Sequence, residues 1–253
     1  MTSLLIAVFV AALTFGSGIL GLYIQRRLPK EHMSGGSRDM ILAVIGLVTL
    51  LLALVLGTIV GNSYAFFAAQ KSGLETFASR ALMVDEALAQ YGPEAQPVRD
   101  RLKEALIQSY ELFWKRADID PKELSVETAL TRWRAIAASF KTLGAATPAQ
   151  KEALAAASAN LALLEQTRLL MSLQLVSPIA SSLLIVVVVW SMFLFLGFGV
   201  LSGSNTTTVV ALAMGAISVA SAIYLIRDLS EPYSGVFRVS PAALKQTIEA
   251  VDK

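Results

Sequence analysis

Three long stretches of this chain carry no charge, and charge-rich stretches separate them. Residues 1–24, 40–70 and 169–226 hold no Asp, Glu, Lys or Arg. The 21 basic and 19 acidic side chains fall instead in 25–39, 71–168 and 227–253. A helix needs about 20 predominantly apolar residues to cross the hydrocarbon of a bilayer. The first block, Ser3 to Ile24, is long enough. No Lys or Arg precedes it, so it lacks the basic start of a cleaved secretory signal and reads as a retained helix. The second block, Met40 to about Ala69, exceeds what a membrane needs and predicts a helix that continues beyond it. Residues 169–226 are too long for one span, and Gly203-Ser204-Asn205-Thr206 marks a turn inside them. That predicts a third span at Pro178–Leu201 and a fourth at Thr206–Ile226.

The polar middle reads as helices too. Leu74, Phe77, Ala78, Ala81 and Leu82 extend the second span with an apolar stripe at helical spacing, and Tyr91-Gly92-Pro93 ends it. A helix then starts near Pro97, with Val98, Leu102, Ala105, Leu106, Ser109 and Phe113 on one face. Asp120-Pro121-Lys122-Glu123 is a helix start, with an N-cap acid and a proline at the first position. The helix it opens presents Val126, Leu130, Trp133, Ala137 and Phe140 and stops at Gly144. Thr147-Pro148-Ala149-Gln150 repeats the signal with Gln where a capping box wants it. Thirteen basic and 13 acidic residues balance across 71–168, which suits a compact helical layer rather than a charged tail.

Composition agrees with the pattern. Hydrophobic residues make up 55% of the chain and charged ones only 16%, against about 25% charged in a soluble domain. The expected fold is therefore an all-α integral membrane protein, since only helices or closed barrels satisfy their backbone inside lipid. Its parts are transmembrane helices one and two (1–69), an extramembrane helical region (70–171), transmembrane helices three and four (172–226) and a C-terminal tail (227–253). A net charge of +2 speaks against a nucleic-acid partner. With no cysteine and one histidine, His32, thiolate and multi-histidine metal sites are excluded, and no cofactor or metal is expected. Arg26, Arg27, Lys30 and Arg38 favour a cytoplasmic 25–39 loop by the positive-inside rule, but Lys71, Arg168, Arg227 and Arg238 flank the opposite span ends, so charge alone does not choose the orientation.

Two glycine patterns stand out. Gly16-Ser17-Gly18-Ile19-Leu20-Gly21 has the letters of a dinucleotide fingerprint. It lies inside a hydrophobic span instead of between a strand and a helix, so close helix packing is the better reading. Gly57 and Gly61 form GxxxG in the second span, extended by Gly46 and Ala53, and Asn62, Ser63, Tyr64, Phe66 and Phe67 follow. Two readings of this stretch stand side by side: interfacial anchoring with helix packing, or the lining of a permeation path. Asp228 and Glu231 are too few for a cation site, and the sequon Asn205-Thr206-Thr207 hugs the membrane. No P-loop, GxSxG or HExxH occurs, so no enzyme activity is expected.

The organisation, two spans, about 100 helical residues, two spans and a short tail, resembles the bestrophin plan, and more specifically the bestrophin-like membrane proteins. Arg27-Leu28-Pro29 and His32, Leu54–Gly61 running into Asn62-Ser63-Tyr64, and Ala89-Gln90-Tyr91-Gly92-Pro93-Glu94-Ala95 carry the resemblance. The tail Asp228-Leu229-Ser230-Glu231-Pro232-Tyr233-Ser234-Gly235-Val236-Phe237-Arg238-Val239-Ser240 is its most specific part. The resemblance implies a homo-oligomer, pentameric in bestrophins, that conducts inorganic ions, anions foremost, across a lipid bilayer. The second span would line the pore, with Gly57, Gly61, Asn62, Ser63, Tyr64, Phe66 and Phe67 as candidates. It also implies a bacterial inner membrane with termini and central helices in the cytoplasm. Thr58 and Ile59 stand where bestrophins carry a Phe-Arg pair, and the tail has no long acidic calcium clasp, so calcium gating does not carry over. The alternative is a non-conducting scaffold whose central helices, with Trp114, Trp133 and Phe140, hold a partner.

Overall fold

A computed structural model describes residues 2–29, 35–115, 126–176 and 181–251. Among them every regular element is helical. His32, the start signal Asp120–Glu123 and Pro178 lie outside the described residues, as do the side chains of Val126 and Leu130. Among the described residues eight α-helices follow one another: α1 Thr2–Gln25, α2 Gly36–Tyr91, α3 Gln96–Tyr110, α4 Val126–Phe140, α5 Pro148–Val176, α6 Ser181–Leu201, α7 Thr206–Leu229 and α8 Ala242–Ala250. A short 3-10 turn, Pro93–Ala95, leads into α3, and a π-helical turn, Glu111–Lys115, ends it. Four of the helices, α1, α2, α6 and α7, are long and apolar enough to cross a membrane. This is an all-α integral membrane fold with four spans and a helical layer between the second and third.

The chain divides into two compact units, Met1–Ala65 with Ile179–Glu231, and Phe66–Pro178 with Pro232–Lys253. In the first, α1 packs against α6 and α7. Gly21 and Gly199 allow it. A Cβ on Gly21 would overlap the Leu196 carbonyl oxygen and stand 3.0 Å from the Gly199 Cα, and one on Gly199 would overlap the Gly18 carbonyl oxygen. Of the dinucleotide-like letters, Gly18 and Gly21 thus serve helix contact, Gly18 against Leu212, while Gly16 has no neighbour within 4 Å. Thr14 and Ser17 hand their hydroxyls to backbone carbonyls one turn back, at 2.8 and 2.9 Å, so α1 leaves neither unsatisfied in its apolar setting.

In the second unit the lower part of α2 buries Leu74, Phe77, Ala78 and Ala81, as the stripe predicts, while Leu82 turns outward. The face predicted for α3 is the buried one: Val98, Leu102, Ala105, Leu106 and Ser109. Thr147 Oγ1 accepts from the Gln150 backbone N–H at 3.1 Å and Gln150 Oε1 from the Thr147 N–H at 3.3 Å, completing the capping box that opens α5. The tail holds α8, which the apolar pattern did not signal and which buries Leu244 and Thr247.

Arg99 grips Asp85 in a two-pronged ion pair, Nε to Oδ1 at 2.7 Å and Nη2 to Oδ2 at 2.9 Å. Asp85 is 7% exposed and Arg99 half-buried, so removing Asp85 takes the paired carboxylate from a partly desolvated guanidinium and leaves it only the weaker influence of Asp100. Asp85→Ala lowers stability by about 2–3 kcal/mol, read as an earlier thermal melt of the purified protein. An unchanged melt would mean that the pair contributes nothing net.

Candidate functional site: the outward face of α2

The candidate residues of the second span do not share one face. A helix returns to the same side every three or four residues. Leu50, Leu54, Gly57, Gly61 and Tyr64 follow that spacing, and all five are exposed. Tyr64 is 63% exposed, and beyond α2's own adjoining backbone no atom lies within 4 Å of where a side chain would begin on Gly57 or Gly61. Asn62 is exposed beside them. Ser63 faces the other way, fully buried, with its hydroxyl donated to the Ile59 carbonyl at 2.8 Å. Leu52 and Ile59 line that inner side and pack with Val10, Val187, Leu194, Ile223 and Ile226. Phe66 and Phe67 are half-buried, and Phe67 packs on the core of the second unit.

The outward strip is neutral throughout. Thr58 spends its hydroxyl on the Leu54 carbonyl at 2.8 Å, which leaves the Asn62 amide and the Tyr64 phenol as its polar groups. Of the four apolar helices α2 is also the most exposed. Only 11% of its most apolar window is buried, against 28% in each of the others. An uncharged strip of leucine, glycine and tyrosine is suited to close approach by another helix or to a narrow, weakly polar passage.

Just past the aromatic pair lies a polar knot that sequence reasoning missed. Gln70 is fully buried in the second unit. Its Nε2 donates to Gln174 Oε1 at 2.8 Å and to the Met171 carbonyl at 3.3 Å, and its Oε1 accepts from the Tyr233 hydroxyl at 3.0 Å. Burial pushes the Tyr233 phenol above its ordinary pKa, so it stays a donor. Phe113 and Trp114 from the π-helical turn cover the Tyr233 ring, and Trp114 Nε1 donates to the Val239 carbonyl at 3.0 Å. The tail is thereby fastened to α2, α5 and the end of α3. A lone glutamine inside a charge-free run was the only signal available.

Known proteins match this arrangement along nearly its whole length. Crystal structures of a bacterial bestrophin homolog from Klebsiella pneumoniae superpose with TM-scores of 0.70, 0.67 and 0.66. Each is 14% identical, and together they cover 97–100% of this chain and 95–97% of theirs. At that identity the likeness shows the fold. No curated protein sequence matches. The family model for the Bestrophin-like domain matches residues 10–244, from within α1 to the first turn of α8. With that match spanning both units and the tail, the chain belongs to the Bestrophin-like family.

Proposed function

We propose that this protein is the subunit of an oligomeric ion channel that prefers anions, with α2 lining the pore. The observation that carries the reading is the outward strip of α2, exposed in the single chain and free of charge from residue 40 to 70. Four helices of one subunit cannot enclose much water, so a pore requires several copies around an axis, five by analogy with bestrophins. A strip repeating at alternate steps of three and four is what a helix uses to face an axis of symmetry. The lining falls to Gly57, Gly61, Asn62 and Tyr64, with Ser63 bracing the helix from behind and Phe66 and Phe67 at its end. Such a constriction has no fixed charge to bind an ion tightly. It passes ions that shed water readily, which favours large monovalent anions, and the Asn62 amide and Tyr64 hydroxyl replace part of the lost hydration. In this reading the membrane is a bacterial inner membrane, with the termini and the helices of 70–171 in the cytoplasm.

The test is current through purified protein in a planar bilayer under asymmetric KCl. Reversal near the chloride equilibrium potential is expected. Reversal toward the potassium potential keeps the channel and removes the anion preference. Silence from well-folded oligomer across a wide voltage range overturns conduction in favour of the scaffold.

A further inference from the structure

The first unit has a second opening that the proposed pore does not use. Between α6 and α7 lies a groove of about 400 Å³. That volume is within the roughly 300–1,000 Å³ of pockets that hold small molecules. Its inner end is apolar, made by Phe195, Leu212 and Gly215, with Phe198 and Ala211 on its sides. Gly215 makes the space: a Cβ there would stand 2.9 Å from the Phe195 ring. Its other end is polar, with Ser202, Asn205, Thr207 and Thr208 at the α6–α7 turn. Asn205 Oδ1 caps α7 by accepting from the Thr208 N–H at 2.8 Å, and the Thr208 hydroxyl donates to the Gly203 carbonyl at 2.9 Å, which leaves the Asn205 amide nitrogen and the Thr207 hydroxyl as donors. Arg26, at the end of α1, donates from Nη2 to Ser204 Oγ at 2.5 Å and so sets an exposed cation beside the polar end.

We propose that this groove seats a phospholipid, one acyl chain lying along Phe195, Phe198 and Leu212 and the phosphate meeting Arg26 and the lip of the α6–α7 turn. Charge decides the occupant. The site asks for an apolar rod ending in an anion. A second copy of this chain brings no net negative charge to that end: its runs 1–24, 40–70 and 169–226 contain no carboxylate, and Asp39 at the start of α2 lies in a 25–39 loop with four basic residues to two acidic ones. A phospholipid of the surrounding bilayer has both parts in one molecule, and basic residues at the interface are partners of its headgroup. Val210, Met214 and Ile217 on α7 are each more than half exposed, so the groove opens onto a surface already suited to lipid.

The experiment uses the full-length protein in vesicles containing phosphatidylglycerol with a photoreactive group in its acyl chain, and adducts are mapped by mass spectrometry. Adducts are expected on peptides covering 195–215. Arg26→Gln lowers their yield about five-fold, and adducts at the exposed Leu4 and Leu5 of α1 do not change. The native chain has no cysteine, so Ala211→Cys can be alkylated with a bulky maleimide after folding. That fills the groove without a folding defect and should abolish the 195–215 adducts. Adducts that persist after filling would reduce the contact to ordinary solvation by lipid and overturn the site. A disulfide-linked dimer through Ala211→Cys would overturn it too, by giving the groove to a second copy.

Discussion

Gly57→Leu cuts the current through the proposed channel by at least about tenfold, because a leucine from every subunit enters a passage narrow enough to gate by dewetting. The subunit itself tolerates the change. Nothing lies within 4 Å of the new Cβ, and leucine in place of glycine favours a helix interior by roughly 0.8 kcal/mol. Folded protein should therefore be recovered at the native yield and elute at the native oligomer size. The two measurements together separate the readings of α2. If Gly57 instead packs against a neighbouring helix, the same leucine breaks up the oligomer before any current is recorded. If the strip faces lipid, neither size nor current moves. Tyr64→Ala should lower the current with oligomers intact, because the ions lose the phenol that replaces part of their hydration. A rise in current would show that the ring only narrows the passage.

Gly21→Ala and Gly199→Ala should each destabilise the first unit by about 3 kcal/mol, at the upper end for overpacking, since the new methyl meets backbone and not the tip of a side chain. Leu196 O, Gly199 Cα and Val200 N all stand in the way at Gly21, so α1 and α6 must part. At two to four degrees per kcal/mol the melting temperature falls by about 10 °C. Gly16→Ala, five residues earlier on the same helix, meets nothing and serves as the control. The double change at 21 and 199 should cost less than the sum of the singles, because one separation of the helices relieves both. Equal melts for all three variants would mean that α1 and α6 do not approach as closely as the glycines allow.

The spans and the helices of the central region were legible because charge and period-3.6 patterning are local. α3 buries the face that its sequence displays, and α5 opens on the box that Thr147 and Gln150 form. The face of α2 was not legible in the same way. From 41 to 57 nearly every residue is apolar, so periodicity distinguishes no side, and only packing shows that Ile59 and Ser63 turn inward while Gly57, Gly61 and Tyr64 turn outward. The Gln70–Tyr233 bond joins residues 163 apart, and no local rule could pair them. α8 is short, and its few apolar positions find their partners on α3, far away in sequence.

The contact between α1 and α6 also bears on how the protein is made. α1 ends at Gln25 and its partner begins at Ser181, so about 155 residues separate them. At a synthesis rate of 5–20 residues per second, α1 waits roughly 10–30 s in the bilayer before the surface that fits Gly18 and Gly21 exists. During that interval α1 lacks both α6 and α7, the two helices it packs against in the finished unit. A nascent chain arrested before residue 181 should therefore hold α1 loosely, open to any passing helix with a small-residue face. Completion of α6 would then be the step that commits the first unit to its fold.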